Sequence, residues 1–186
     1  MTATEIFSKI NQHMIEGLMV HSQISDYYNF LGLHGYSKCH EYHFFTESKS
    51  YRTLNNHFFK YYNKLIPEMQ NTNPNIIPKE WYNYTRQQVD AGTRKAGVQT
   101  ALQKWVEWEK ETKALYEKMY QELMVQNDVF GAGMVKDLIK DVTEELAQAY
   151  QKQLKLKSMD FDIVFIMDEQ EERYKKYRKE IKKLFK

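Results

Sequence analysis

Apolar side chains return every three or four positions over most of this chain, which is the spacing of one helix face and not the alternation of a strand. The first run follows Thr2 and Thr4, either of which can cap a helix, and continues to about residue 31. Its seam reads Ile10, Met14, Gly17, His21, Ile24, Tyr28 and Leu31. Gly32 and Gly35 then bracket Leu33 and His34, a pairing suited to ending one helix and turning the chain. A second run over about 36–65 has the seam His40, Phe44, Glu47, Tyr51, Leu54, Phe58, Tyr61 and Leu65, and stops before Pro67. The link between the two is short, so they are expected to pack antiparallel.

The period is lost from residue 67 to about 84, where Pro67, Pro74 and Pro78 all fall. This predicts a long crossover, with a short helical turn near 79–84, that lets a third helix begin at the far end of the bundle. That helix is expected from Asn83 or Thr85 to Gln126, with Gly92 and Gly97 bending its start. Its seam is Val98, Leu102, Trp105, Glu109, Thr112, Tyr116, Met119 and Leu123. Asn127-Asp128 is a turn and cap signal, and a fourth helix is expected over 129–157, its first turn weakened by Gly131 and Gly133. One face carries Val135, Leu138, Val142, Glu145 and Ala149; Met134, Asp141 and Gln148 lie beside it. Residues 160–166 are apolar and β-branched and fit either an extended segment or a short helix. The stretch 169–186 is a charged helix, acidic first and basic last, as the helix dipole prefers. The fold expected is all-α: an antiparallel four-helix bundle in 1–157, and an extension over 158–186 that packs on the bundle or projects from it.

Composition narrows the function classes. Three prolines and seven glycines among 186 residues suit long uninterrupted elements. A net charge of +2 carries no general attraction to nucleic acid or acidic lipid, which leaves only the basic tail (Lys175, Lys176, Arg178, Lys179, Lys182, Lys183, Lys186) as a phosphate-contacting stretch, and that tail reads first as a solvated helix end. No run of 18 apolar residues exists to span a membrane. The first residues have neither a basic patch nor an apolar run, so no signal peptide is expected. Cys39 is the one cysteine and is read as a small buried hydrophobe; with no internal disulfide to form, a cytoplasmic location is expected.

The candidate chemistry sits on the apolar seams. His21 lies on the first, His40 and Glu47 on the second, Glu109 on the third, and Glu145 on the fourth with Asp141 one turn before it. A buried carboxylate needs a partner, which a metal ion, another side chain or water can supply. Carboxylates with imidazoles suit iron, manganese or zinc, and bundle cores that hold metals draw such ligands from all four helices. Fourteen tyrosines offer the alternative, purely structural partners. His40-x-x-His43 presents two ligands on one face, with no third nearby in sequence. Gly131-x-Gly133 lacks the strand and the length of a phosphate loop.

The residues that stand out also resemble a known family. Trp105-Val106-Glu107-Trp108-Glu109-Lys110-Glu111-Thr112 is similar to the start of the ferritin third helix, where an inward Glu is a metal ligand, and Asn127-Asp128 resembles the turn that follows it. Ile10-Asn11-Gln12-His13-Met14 resembles the opening of the ferritin first helix, whose ligand Glu would fall at Gly17, beside Glu16. Tyr36-Ser37-Lys38-Cys39-His40 is similar to a stretch of the mini-ferritins that protect DNA in starvation. The resemblance spans roughly 5–157. It implies a ferritin-like fold, a homo-oligomer, and iron or manganese at some of Glu16, His21, His40, Glu47, Glu109, Asp141 and Glu145. It departs from the family where Glu-x-x-His is expected: Glu47 is followed by Ser50, and Glu145 by Gln148. The expectation is therefore a ferritin-like bundle with a non-catalytic role and a degenerate metal site, the alternative being an iron- or manganese-binding protein that oxidises or stores the metal.

Overall fold

The computed structural model describes residues 1–64, 66 and 89–185. Among these, five helices run in the order α1 (Ala3–Phe30), α2 (His34–Tyr62), α3 (Ala91–Val125), α4 (Val129–Ser158) and α5 (Ile163–Leu184). The crossover expected at 67–84, with its turn near 79–84, and the Leu65 seam position lie outside the described residues.

Local chemistry sets the helix ends. Thr2 caps α1 in a reciprocal box with Glu5: the Thr2 hydroxyl accepts from the Glu5 N–H, and the Glu5 carboxylate accepts from the Thr2 N–H. Three helices end in the same doubly bonded turn. Leu33 N–H donates to Tyr28 and Gly32 N–H to Asn29; Asp128 and Asn127 donate to Leu123 and Met124; Phe161 and Asp160 donate to Leu156 and Lys157. The left-handed position of each is Gly32 (φ 76°), Asn127 (57°) and Asp160 (48°).

Several expectations need correction. Gly35 does not turn the chain; α2 already starts at His34. Gly35 is instead a contact point, where an added Cβ would lie 1.8 Å from the Gln170 carbonyl oxygen of α5. The third helix does not begin at 83 or 85: Val89 and Asp90 are non-helical, and the Asp90 carboxylate caps α3 by accepting from Thr93 N–H. Gly97 leaves room for Leu31, whose Cδ1 would sit 2.5 Å from an added Cβ. The ambiguous 160–166 stretch resolves into a turn and the first turn of α5, capped by Asp162.

α1 packs on α2 and α3, α3 on α4, and α5 turns back along the first half of α2. Pairs such as Tyr36–Glu169, Cys39–Arg173 and Tyr42–Tyr177 fix α5 parallel to α2. The apolar interior is in two parts. One gathers Ile24, Tyr28, Leu31, Val98, Leu102, Ala149, Leu156 and Ile166; the other gathers Phe7, Ile10, Leu54, Phe58, Met119, Leu123 and Val135. Between them, near the middle of α2, α3 and α4 and in the second half of α1, lie His21, Glu47, Glu109 and Glu145.

Candidate metal centre

Each of α1 to α4 delivers one side chain of this polar layer. One ligand atom from each of His21, Glu47, Glu109 and Glu145 lies within 4.8 Å of the others. His21 and Glu109 are sealed from solvent, at 0% and 1% exposure, while the Glu47 and Glu145 side chains keep about a fifth. That difference gives the layer a solvent side. A cavity of about 260 Å³ opens between α2 and α4, lined by Glu47, Ser50, Glu109, Tyr116, Asp141 and Glu145 among others.

The contacts within the layer are close but incomplete. His21 Nε2 is 3.1 Å from Glu47 Oε1 and 3.6 Å from Glu109 Oε1, yet the ring nitrogen makes no hydrogen bond to either. Glu47 Oε2 is buried with no hydrogen bond, and both ring nitrogens of His43 are in the same state although Nδ1 lies 3.4 Å from Glu145 Oε1. Glu109 Oε1 accepts from the Trp105 indole N–H at 2.8 Å. On its other side His21 meets His40, Nδ1 to Nδ1 at 3.0 Å, so one ring donates and the other accepts. Gly17 completes the cradle: a Cβ there would stand 3.0 Å from Glu47 Oε2 and 3.4 Å from Trp108, so the glycine makes room for the Glu47 carboxylate.

Burial and crowding set the charges. Glu109 is pushed well above the usual carboxylate range, first by burial and then by the Glu145 and Glu47 charges. Burial works against charge on His43, but the nearby Glu145 carboxylate, with the Cys39 sulfur beside it, outweighs burial and holds the imidazole well above its usual range. Glu145 is correspondingly lowered; burial opposes this, and the His43 charge prevails. His40 is driven well below its usual range by burial and by His21 and His43. Without a metal the layer thus favours the neutral forms of Glu109 and His40 and the charged forms of His43 and Glu145.

A search of solved structures finds this arrangement of helices again. An open-pore ferritin of the hyperthermophilic archaeon Archaeoglobus fulgidus superposes with a TM-score of 0.76 at 15% identity, over 92% of this chain and 95% of that one. A closed form of the same ferritin, engineered by site-directed mutagenesis, matches at 0.76 and 15% over 92% and 94%. The fold is ferritin-like. No family model and no curated protein sequence matches the chain.

Set on that fold, the residues singled out in the sequence divide clearly. His21, Glu47, Glu109 and Glu145 converge. His40 is behind the cluster, bonded to His21. Asp141 is exposed on the cavity rim. Glu16 is not in the cluster: it pairs with Gln12 and lies 3.9 Å from His13. His43 enters the layer instead. The His40-x-x-His43 spacing signalled it, but it has no ligand neighbour in sequence, and its partner, Glu145, comes from α4. Ser50 and Gln148 stand where a Glu-x-x-His spacing would place an imidazole; the imidazole nearest Glu47 on its own helix is His43, one turn before it, and it lies against Glu145.

Proposed function

We propose that the chain is a ferritin-like bundle that binds a first-row transition metal, iron in the first place, through His21, Glu47, Glu109 and Glu145. The observation that carries this is the set of ligand atoms from four helices within 4.8 Å of one another, with His21 Nε2 and Glu47 Oε2 buried and without hydrogen bonds. Buried polar atoms left bare are costly, and a cation gives them a partner. Mixed imidazole and carboxylate donors suit iron and manganese. Gly17 supports the same reading, because a side chain there would crowd the Glu47 carboxylate.

The surrounding residues would then act as positioning groups. His40, kept neutral by burial, can accept from His21 Nδ1–H, which leaves Nε2 bare and aimed inward. Trp105 fixes one oxygen of Glu109. His43 lies 3.4 Å from Glu145 Oε1, so it would hold the Glu145 carboxylate beside the layer, where Glu145 would be a ligand and the His43 imidazole its charge partner. The cavity past Asp141 and Glu144 is the route from solvent, lined with acids that favour a cation. Iron would here be a substrate, held for oxidation or storage, and the chemistry it supplies is a one-electron redox couple.

A second reading rests on the His43–Glu145 contact and the Trp105–Glu109 bond, which satisfy part of the layer from within. On it, the layer is a structural network and the bundle works through protein contacts. Under either reading we infer a homo-oligomer in a reducing compartment. The supports are the exposed apolar group Phe59, Tyr61, Val125, Val129 and Phe130, together with the buried, unpaired thiol of Cys39.

Titration of the chelator-treated protein with ferrous iron and manganese, under argon, separates the two. The metal reading expects binding and a rise in melting temperature, with affinity reduced about 100-fold or more by His21→Ala. No binding to the parent protein, or equal binding to the variant, would leave the structural reading standing.

A further inference from the structure

A second cavity, of about 250 Å³, lies further along α4 where α5 closes over it, and its character is the opposite of the first. Lys152, Lys155, Arg173 and Lys176 line it against a single carboxylate, Glu169. Glu169 is already fully engaged. It accepts from the Tyr36 hydroxyl at 2.6 Å, is in contact with the Lys152 ammonium, and lies 3.3 Å from Lys155 Nζ and 3.6 Å from Arg173 Nε. One carboxylate is therefore shared by three basic side chains, and Lys176 adds a fourth to the wall without reaching it. Lys152 is 6% exposed, a rare place for an ammonium. Arg173 Nε is buried and has no hydrogen bond. Gln148 and Gln151 add amide donors to the wall.

We infer that this cavity is a binding site for a small multivalent oxyanion of the phosphate class, held between Lys152, Lys155, Arg173 and Lys176. An excess of basic side chains around a cavity attracts an anion, and a guanidinium with an unpaired Nε–H suits a tetrahedral oxyanion in particular. The space holds on the order of eight waters, enough for phosphate with part of its hydration shell. Burial, reinforced by Arg173 and Lys155, presses the pKa of Lys152 down to about 6, so the amine is short of counter-charge and an anion bound beside it would favour its protonated form. The site touches the metal layer through two residues. Trp105 lines the cavity while its N–H holds Glu109, and Gln148 lines both cavities. The inference does not depend on metal being bound, since every group named belongs to the chain itself.

The test is calorimetric titration of chelator-treated protein with inorganic phosphate in low-salt chloride buffer, with sulfate as competitor. One phosphate per chain is expected. Lys155→Gln with Lys176→Gln, both exposed and so safe for folding, should weaken binding tenfold or more. Glu169→Gln, which keeps an acceptor for Tyr36 and removes the negative charge that competes for Lys152, Lys155 and Arg173, should tighten it, an effect that simple loss of structure cannot produce. Lys179→Gln with Lys182→Gln, on the basic tail, should change nothing. Absence of binding, or binding lost with the tail pair and retained with the cavity pair, would overturn the assignment.

Discussion

Glu109 is a buried carboxylate at the centre of a cluster of carboxylates. It is 1% exposed, and two further carboxylates, Glu47 and Glu145, approach it. Its folded-state pKa is raised, so between the ordinary carboxylate value of 4.5 and that raised value the folded chain holds a proton that the unfolded chain releases. Stability from this group therefore declines as pH rises through that window. His43 acts in the same direction: its raised pKa contributes stability below the unfolded value of 6.5, which is lost as pH climbs through the folded one. Glu109→Gln keeps the bond from Trp105 and removes the ionisation. The metal-free variant should match the parent near pH 5 and exceed it by about 1–3 kcal/mol at pH 9, measured by urea unfolding. It should also bind metal poorly. A parent protein with flat stability over this range would contradict the burial of an uncompensated carboxyl group. At this scale the sequence was partly legible. His21, Glu47, Glu109 and Glu145 could be named because each interrupts an apolar seam. His43 could not be placed, because what brings it into the layer is a partner more than a hundred positions away.

At the scale of elements, periodicity carried most of the information. Every residue of the Val98-to-Leu123 seam of α3 is buried. The α2 seam was less faithful: Phe44 is only partly buried and Tyr61 is 55% exposed. The reason is α5. It covers the Gly35, Tyr36, Cys39 and Tyr42 side of α2, so this helix buries two faces in its first half and one in its second. A single stripe drawn along it cannot describe both. The same contact explains why Gly35 was misread as a turn. Gly35→Ala would drive a methyl group against the Gln170 backbone, and should cost about 1–3 kcal/mol and loosen α5. Gly133→Ala, with nothing within 4 Å, should stabilise α4 by about 0.5–1 kcal/mol. Thermal melts with hydrogen exchange of α5 amides distinguish these outcomes. Equal effects from both substitutions would mean that α5 does not lie against α2.

For the molecule as a whole, the polar layer divides one bundle into two apolar halves, and the second cavity with its basic wall lies beside the layer under α5. The four-helix bundle was readable from the helix count and from the short links between the first and second and the third and fourth helices. The division of the core was not, because it depends on the relative heights of four residues on four separate helices, and seam reading gives faces but not heights. No helix among the described residues is long and apolar enough to cross a membrane. The packing of the four helices brings His21, Glu47, Glu109 and Glu145 to one level of the bundle, and the chemistry rests on whether they share a metal ion. The most direct measurement is an anomalous-difference map from a crystal soaked with manganese or ferrous iron, collected on either side of the metal edge. The account predicts a peak about 2.0–2.3 Å from His21 Nε2 and from oxygens of Glu47, Glu109 and Glu145. A map with no peak in the layer, or with metal only at Glu16 or Asp141, would contradict it.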